Sequence, residues 1–499
     1  MDQILQGLVS LISLQMLGLI LLGVGIGYFF GIVPGLSGLV ALTLLLPFVY
    51  GMEPNSALVF LLAAHAVAVT GGSVTAILLG IPGMSPNAAT LIDGFPMTQQ
   101  GRGGRALGAA LMSSMLGGLV GAVLLALMIP IMMPLAMSFR SPELFLVILL
   151  GLGSVIGLTQ GSELKGLISA GLGMALALVG FQSITGITRF TFGTMYLWDG
   201  FKLIPLALGM FAVPLVIELA GSGTAIASKV QGDVKGTEGA EGVREGMRDV
   251  FRNFWLFLRS SVLGTVIGVL PGAGGTVASF IAYAQAKASS KEPDTFGHGN
   301  VEGVIAPESA NNAKEGGSLF PTLLLGIPGS GAMAILLGAF LMVGLVPGPL
   351  FLSKHTDIAF AMVGTLVIAN IIAAGFTLLL GNTFSRIALV RGNVLAPILL
   401  VVICVGAYSI DSTFMDIIMV FIFGALGYGM MKLGYNRPAL FLAFILGGLA
   451  EKYFFLSLTA YGSLFLFSSY TAIVLGILVL MVFSFGSMKQ VWSKAKLRH

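Results

Sequence analysis

The feature that most limits what this chain can fold into is a series of more than ten apolar stretches separated by short polar turns. A bilayer core about 30 Å thick is crossed by roughly 20 apolar residues in a helix. An Arg, Lys or Asp at its centre costs roughly 2.5–3.5 kcal/mol on insertion scales. The 25 basic and 21 acidic residues of this 499-residue chain accordingly fall between the apolar runs. Only 9% of the residues are charged, against about 25% in soluble proteins, which excludes a soluble globular fold. The expected class is an all-α polytopic membrane protein. No basic segment precedes the first apolar stretch, so that stretch reads as a retained membrane segment and not a cleaved signal. Cys404 is the only cysteine, which rules out an intrachain disulfide.

The sequence repeats itself. GIVPGLSG at Gly31–Gly38 returns as GVLPGAGG at Gly268–Gly275. GGSVTAILLGIPG at Gly71–Gly83 returns as GGSLFPTLLLGIPG at Gly316–Gly329, one residue longer. Two matches in the same order divide the chain into a first transmembrane repeat over 1–220, a linker over 221–253 and a second repeat over 254–465. A single unmatched helix with a basic tail follows over 466–499. The linker carries Lys229, Lys235, Arg244, Arg248 and Arg252 among acidic residues, and part of it reads as an amphipathic surface helix.

Basic residues in short loops mark the cytoplasmic side. The tail residues Lys489, Lys494, Lys496 and Arg498 therefore place the C-terminus inside. Counting back puts Asp411 outside, Lys432 and Arg437 inside, and Arg386 and Arg391 inside. The linker also falls inside. In the first repeat Arg102 and Arg105 fall inside, Lys165 inside, and Arg140 and Arg189 outside, the last two as single violations. The counterpart helices at Ala106 and Ile358 then run in opposite senses, so the repeats are expected to be inverted. Such repeats are common in secondary transporters, where exchanging the conformations of the halves switches the side of access. The segments at Leu8–Ile32 and Val262–Leu270 read either as full crossings or as re-entrant hairpins.

The candidate site follows from paired Pro-Gly breaks. Proline inside an apolar run removes a backbone donor and clashes with the preceding turn. The freed backbone groups need partners from protein, ion or water. A half-helix start suits a carboxylate, and freed carbonyls suit Na⁺. The breaks at Pro82-Gly83 and Pro328-Gly329 occupy corresponding positions of the two repeats, and Ser37-Gly38 and Gly274-Gly275-Thr276 follow two more. Ser37 and Thr276 either donate to a ligand or bond back to their own helix. Asn311 and Asn312 precede the second GIPG helix, together with Gly317 and Ser318. Asn offers both a donor and an acceptor, but the alternative is an interfacial turn, which Lys314-Glu315 favours. Thr70, Gly71, Gly72 and Ser73 stand at the matching place in repeat one. His65, in an alanine-rich run, is either a proton relay or a packed neutral histidine. Glu218 and Glu451 read as interfacial or paired charges. No P-loop, Cys/His metal cluster or hydrolase signature occurs, so neither ATP drive nor enzymatic function is expected, and no cofactor beyond a coupling Na⁺ or H⁺.

These stretches, with DGFPMTQQGRGGRALG, GVIAPESANNAKEGGSLFPTLLLGIPGSGAMAILLGA and GLVPGPLF, resemble the large membrane subunit of the tripartite tricarboxylate transporters over nearly the whole chain. The resemblance implies a multi-pass subunit of a bacterial inner membrane, partnered by a small transmembrane subunit and a periplasmic solute-binding protein. It implies uptake of a di- or tricarboxylate such as citrate with a cation gradient, and no nucleic-acid partner. Ser37, Gly71, Gly72, Ser73, Pro82, Gly83, Asn311, Asn312, Gly317, Pro328 and Gly329 match the family's pattern. Thr70 and Met84-Ser85-Pro86-Asn87 depart from it, at places where substrate choice would change. An anion channel and a non-transporting scaffold subunit are the competing readings.

Overall fold

The structure, a computed structural model, describes residues 2–157, 162–182, 184, 186–221, 239–272, 274–387 and 392–482. Lys229, Lys235, Arg391 and the basic tail beyond 482 lie outside them, as does most of the linker. The first half runs through α1 (Asp2–Ser10), α2 (Leu14–Ile32), α3 (Gly38–Val49), α4 (Pro54–Leu79) and α5 (Asn87–Gln99). It continues with α6 (Gly103–Met137), α7 (Ser141–Gly157) and α8 (Glu163–Ala177), then a small hairpin, β1 (Gly180–Phe181) with β2 (Thr188–Arg189). A last helix comprises α9 (Leu203–Ala207), a π turn (Leu208–Ala212) and α10 (Val213–Gly221). The second half holds α11 (Ala240–Arg252), α12 (Phe254–Val269), α13 (Gly274–Ser289), α14 (Glu302–Leu325), α15 (Gly331–Met342) and α16 (Pro349–Lys354). It closes with α17 (Thr356–Ile387), α18 (Gly392–Tyr408), α19 (Phe414–Lys432), α20 (Arg437–Tyr461) and α21 (Tyr470–Val482). Among the described residues, seven helices are long and apolar enough to cross a membrane. The unmatched terminal helix expected from Leu466 begins later, because Gly462 at φ 70° turns the chain into a short 3₁₀ segment first.

Helix starts and stops follow local chemistry. Glu53 caps α4 by accepting from the amides of Asn55 and Ser56, with Pro54 in the first turn where no donor is missed. Both central helices, α4 and α14, end on a left-handed glycine: Gly80 (φ 69°, ψ 22°) and Gly326 (φ 68°, ψ 22°). Any side chain is strained there, so the GIPG glycine is what stops each helix inside the protein.

In each half the two helices that flank the first Pro-Gly break, α2 with α3 and α12 with α13, fold back on each other as a hairpin. Asn55 at the start of α4 donates to Ser10, just before α2, at 3.3 Å. The end of α3, four residues before α4, therefore lies at the same end as the start of α2. In the second half Arg259, in the second turn of α12, bonds Ser289 at the end of α13. The hairpin tips are the Pro34-Gly35 and Pro271-Gly272 breaks.

Helix packing then repeats between halves. α2 packs on α4 as α12 packs on α14, α3 meets α15 as α13 meets α5, and α6 lies on α14 as α17 lies on α4. The short helices match too, α1 against α17 and α11 against α6. Small residues allow the closest approaches. A Cβ on Gly27 would run into the Ala64 carbonyl, and one on Gly264 into the Ala310 carbonyl. In lipid, where apolar surface gains little from helix contact, such backbone proximity is a principal source of helix association.

The chain after Arg189 and the loop around Asp411, both assigned outside, meet at one end, as Arg102 and Arg105 meet the end of the linker. Tyr50, Lys202, Met342 and Asp411 line one cavity of 500 Å³. Arg102, Arg105, Asn253, Lys291 and Asn300 line another of 810 Å³ beyond the end of α5. Arg189, expected as an exception to the charge rule, is neutralised: it binds both carboxylate oxygens of Glu451, at 2.7 and 2.9 Å. Glu218 lies 3.7 Å from Lys432.

Gly27→Val should destabilise the protein by about 1–3 kcal/mol through overpacking. Gly25→Val, on the open face of the same helix with nothing within 4 Å, should not. Thermal unfolding in detergent compares the two, and equal loss would count against close α2–α4 packing.

Candidate functional site

Four breaks converge between α4 and α14. The tip of the first hairpin meets the first GIPG loop, where the Gly31 carbonyl abuts Gly83 and the Gly83 amide donates to Gly72 O at 3.4 Å. The second hairpin meets the second GIPG loop, where Gly272 donates to Gly329 O at 3.1 Å. The two pairs also touch each other. A Cβ on Gly275 would stand 3.1 Å from Pro86, and one on Gly331 3.0 Å from Leu39. Pro82, Gly83, Pro328, Gly329, Gly38, Gly274 and Gly275 are therefore brought into one region.

The register of the two central helices, set from Gly80 and Gly326, makes His65 the counterpart of Asn311, each 15 residues before its glycine. Gly71 then corresponds to Gly317; they pack against the carbonyls of Tyr28 and Thr265. His65 Nδ1 and Asn311 Oδ1 are both buried without a hydrogen-bond partner. His65 Nδ1 stands 3.1 Å from the place a Cβ would take on Gly38, and Asn311 Oδ1 2.6 Å from that on Gly275. Each polar atom thus reaches the first turn of a half-helix, α3 or α13, through the space a missing side chain leaves. In the neutral histidine, Nε2 carries the proton toward its carboxylate partner Glu315, at 3.1 Å, and Nδ1 is an acceptor. Two unpaired acceptors in equivalent places suit a cation or a bound N–H or O–H group. The amides opening α3 and α13 suit an anion. Ser318 Oγ, also buried and unpaired, lies next to Gly329.

Other sequence candidates hold structure instead. Ser37 accepts from the Val40 amide at 3.3 Å, the local bond foreseen as its alternative. Asn312 donates to Thr70 Oγ1 at 3.1 Å and to Asn370 Oδ1 at 2.7 Å, joining α14 to α4 and α17. Thr276 is half-buried in the first turn of α13.

The interfacial-turn alternative for the end of Pro307–Ser318 is overturned. Every residue from 303 to 324 is buried within α14. Lys314 and Glu315 survive there by pairing with each other at 2.6 Å, while Glu315 also faces His65. Burying the two together is tolerable where burying either alone is not. The His65–Glu315 pair escapes a reading of single apolar runs because its members lie 250 residues apart.

The residue that sequence reasoning missed altogether is Glu308. Its carboxylate receives Ser73 Oγ at 2.7 Å and Thr90 Oγ1 at 2.5 Å on Oε1, and Ser114 Oγ at 2.7 Å on Oε2. Asn87 ties this cage to the first GIPG loop, donating to Ser73 Oγ at 2.9 Å and accepting from the Met84 amide at 3.1 Å. Asp93 is a second buried carboxylate, with a clamping role. Its Oδ1 accepts from the amides of Gly297, Gly299 and Asn300, and its Oδ2 from the Tyr283 hydroxyl. It fastens α5 of the first half to the loop before α14. The 810 Å³ cavity lies at that end, away from the convergence. Its Arg105 is already paired with Asp249 and Glu245, which makes it a surface cleft and not the central site.

Lys314→Met alone should cost about 3–5 kcal/mol, because it removes the cation paired with buried Glu315. Adding Glu315→Gln should recover more than half of that loss. Thermal unfolding of the two variants measures the coupling, and additive losses would refute a shared buried pair.

The family model described as "Tripartite tricarboxylate transporter TctA family" matches residues 17–442. A protein of Agrobacterium vitis described as "Uncharacterized 52.8 kDa protein in TAR-I ttuC' 3'region" is 35% identical over 442 residues, 86% of this chain and 84% of its own. A second, "Uncharacterized protein in TAR-II ttuC' 3'region" of the same organism, is 36% identical over 190 residues, 38% of this chain and 78% of its own. No solved structure matches the chain. A match across both halves, with long buried helices broken at GIPG, leaves one assignment: the chain belongs to the TctA family of tripartite tricarboxylate transporters, a family of transporter subunits and not of enzymes.

Proposed function

We propose that this chain is the membrane subunit through which a di- or tricarboxylate of the citrate class is imported, driven by a Na⁺ or H⁺ gradient. In this reading it sits in a bacterial inner membrane with its C-terminus cytoplasmic. It works beside a small transmembrane subunit and takes its substrate from a periplasmic solute-binding protein. The observation that carries the proposal is the equivalence of His65 Nδ1 and Asn311 Oδ1, unpaired acceptors that each face the start of a half-helix.

A carboxylate substrate needs donors, and the amides opening α3 and α13 supply them with about half a positive charge each. A coupling cation needs acceptors, which His65, Asn311 and Ser318 supply. The candidate residues Ser73, Gly71, Gly72, Gly317, Pro82 and Pro328 hold the surrounding backbone. Placing Arg102, Lys291 and Lys432 inside, and Tyr50 and Asp411 outside, makes the two halves an inverted pair. Alternating access then exchanges the hairpin packing of one half for that of the other.

In proteoliposomes containing this chain and its small partner, labelled citrate should accumulate only with an imposed cation gradient and with the binding protein present. Asn311→Ala and Gly275→Ala should each lower the initial rate roughly tenfold, as loss of one buried polar contact does. Uptake unchanged in both would remove this site. Ion conduction without gradient-driven accumulation would favour the anion channel. Single cysteines in a Cys404→Ser background should react with an impermeant reagent from outside at Tyr50 and Asp411, and from inside at Lys291 and Lys432.

A further inference from the structure

We propose that Glu308 is a proton-binding site of the transport cycle, exchanging one proton as Ser73, Thr90, Ser114 and Asn87 hold its carboxyl group in either charge state. The inference rests on the carrier reading above and names H⁺ as a coupling ion.

Glu308 is 1% exposed in the middle of α14. Among the described residues no basic side chain forms an ion pair with it, and its partners are three hydroxyl groups. The other central charges are already engaged. On α14 itself, Lys314 pairs with Glu315, which also faces His65 of α4. On α5, Asp93 is held by Tyr283 of α13 and three loop amides. On α6, Arg105 binds Asp249 and Glu245 of α11, and just before that helix Arg102 bonds Gln100 and Gly299. On α12, Arg259 bonds Ser289. An ionised carboxylate buried without a counter-charge is costly enough that such groups ordinarily take up a proton instead.

The hydrogens of the cage also balance in both charge states. Ser73 has one hydroxyl hydrogen but two acceptors in reach, Val69 O at 3.1 Å and Glu308 Oε1 at 2.7 Å. It also accepts from Asn87. With the carboxylate ionised, the Ser73 hydrogen points to Oε1 and Asn87 is the side-chain donor left to Val69 O, at 3.0 Å. With a proton on Oε1, that proton is donated to Ser73 Oγ and the Ser73 hydrogen turns to Val69 O. Oε2 is then a carbonyl that accepts from Ser114. Both states satisfy every group, so one proton enters or leaves by a hydroxyl rotation without breaking the cage. Asn87 bonds Ser73 with its amide nitrogen and the Met84 amide with its oxygen. The switch is therefore in direct contact with the first GIPG loop.

Infrared difference spectroscopy of the purified protein across a pH titration tests this without transport. The wild type should show the C=O band of a buried carboxylic acid. Glu308→Gln, which keeps the shape and offers both a donor and an acceptor, should abolish it. Glu302→Gln, at the start of the same helix, should leave it in place. Ser114→Ala should move the band to higher wavenumber by removing the hydrogen bond to the carbonyl, a readout that holds even if Glu308→Gln fails to fold. In proteoliposomes, Glu308→Gln should cut pH-gradient-driven accumulation ~tenfold or more. A band unaffected by both Glu308→Gln and Ser114→Ala overturns the proposal. So does a wild type with no such band at any pH, the result expected of a sodium ion in the cage. Loss of uptake in the wild type, with the band assigned to Glu308, would instead remove the carrier reading and leave the protonatable carboxyl standing.

Discussion

A backbone amide or carbonyl cannot be left bare in the bilayer interior, and the fold is arranged around the four places where this chain gives up its helical hydrogen bonds. At two of them a freed amide finds a backbone carbonyl, in α4 for the first GIPG loop and in the second GIPG loop for the second hairpin tip. Gly83 donates to Gly72, and Gly272 donates to Gly329. The central position of α4 and α14 follows from the same constraint, because helices that end in mid-membrane must be surrounded by protein. The outer helices supply that surround, and their exposed Leu, Ile, Val and Phe residues face away from it.

The same requirement shapes ordinary helices nearby. Pro214 has no amide to offer Met210, four residues earlier, at a turn already widened to π geometry. Arg437 donates to that Met210 carbonyl at 3.0 Å and lies over the ring of Phe211. One basic side chain at the start of α20 thereby repairs a proline break on a different helix.

Much of the architecture was legible in the sequence because it is local. Apolar length gave the helices, Pro-Gly gave the breaks, and the repeated GIPG with a preceding GG gave the pairing. Loop charges sorted the turns into groups that meet at the same ends, with Arg189 explained by its contact with Glu451. The site was legible only in part, for a physical reason. The breaks are backbone features with their own signature, whereas the polar side chains gain meaning from partners far along the chain. Glu308 reads as one more polar residue until Ser73, Thr90 and Ser114 surround it from three other helices. Lys314-Glu315 looks interfacial until each neutralises the other. The equivalence of His65 and Asn311 was countable from the GIPG glycines, but the two residue types share no chemistry that would prompt the count.

Asp93 has a mechanical consequence. Four hydrogen bonds on one buried carboxylate make a strap between α5 of one half and the loop that leads into α14 of the other. With the Ser73–Glu308, His65–Glu315 and Thr70–Asn312 contacts, it is one of several buried polar ties between the halves. Any rearrangement that parts α5 from that loop must therefore leave four donors to find other acceptors, which ties the cost of such a movement to a single side chain.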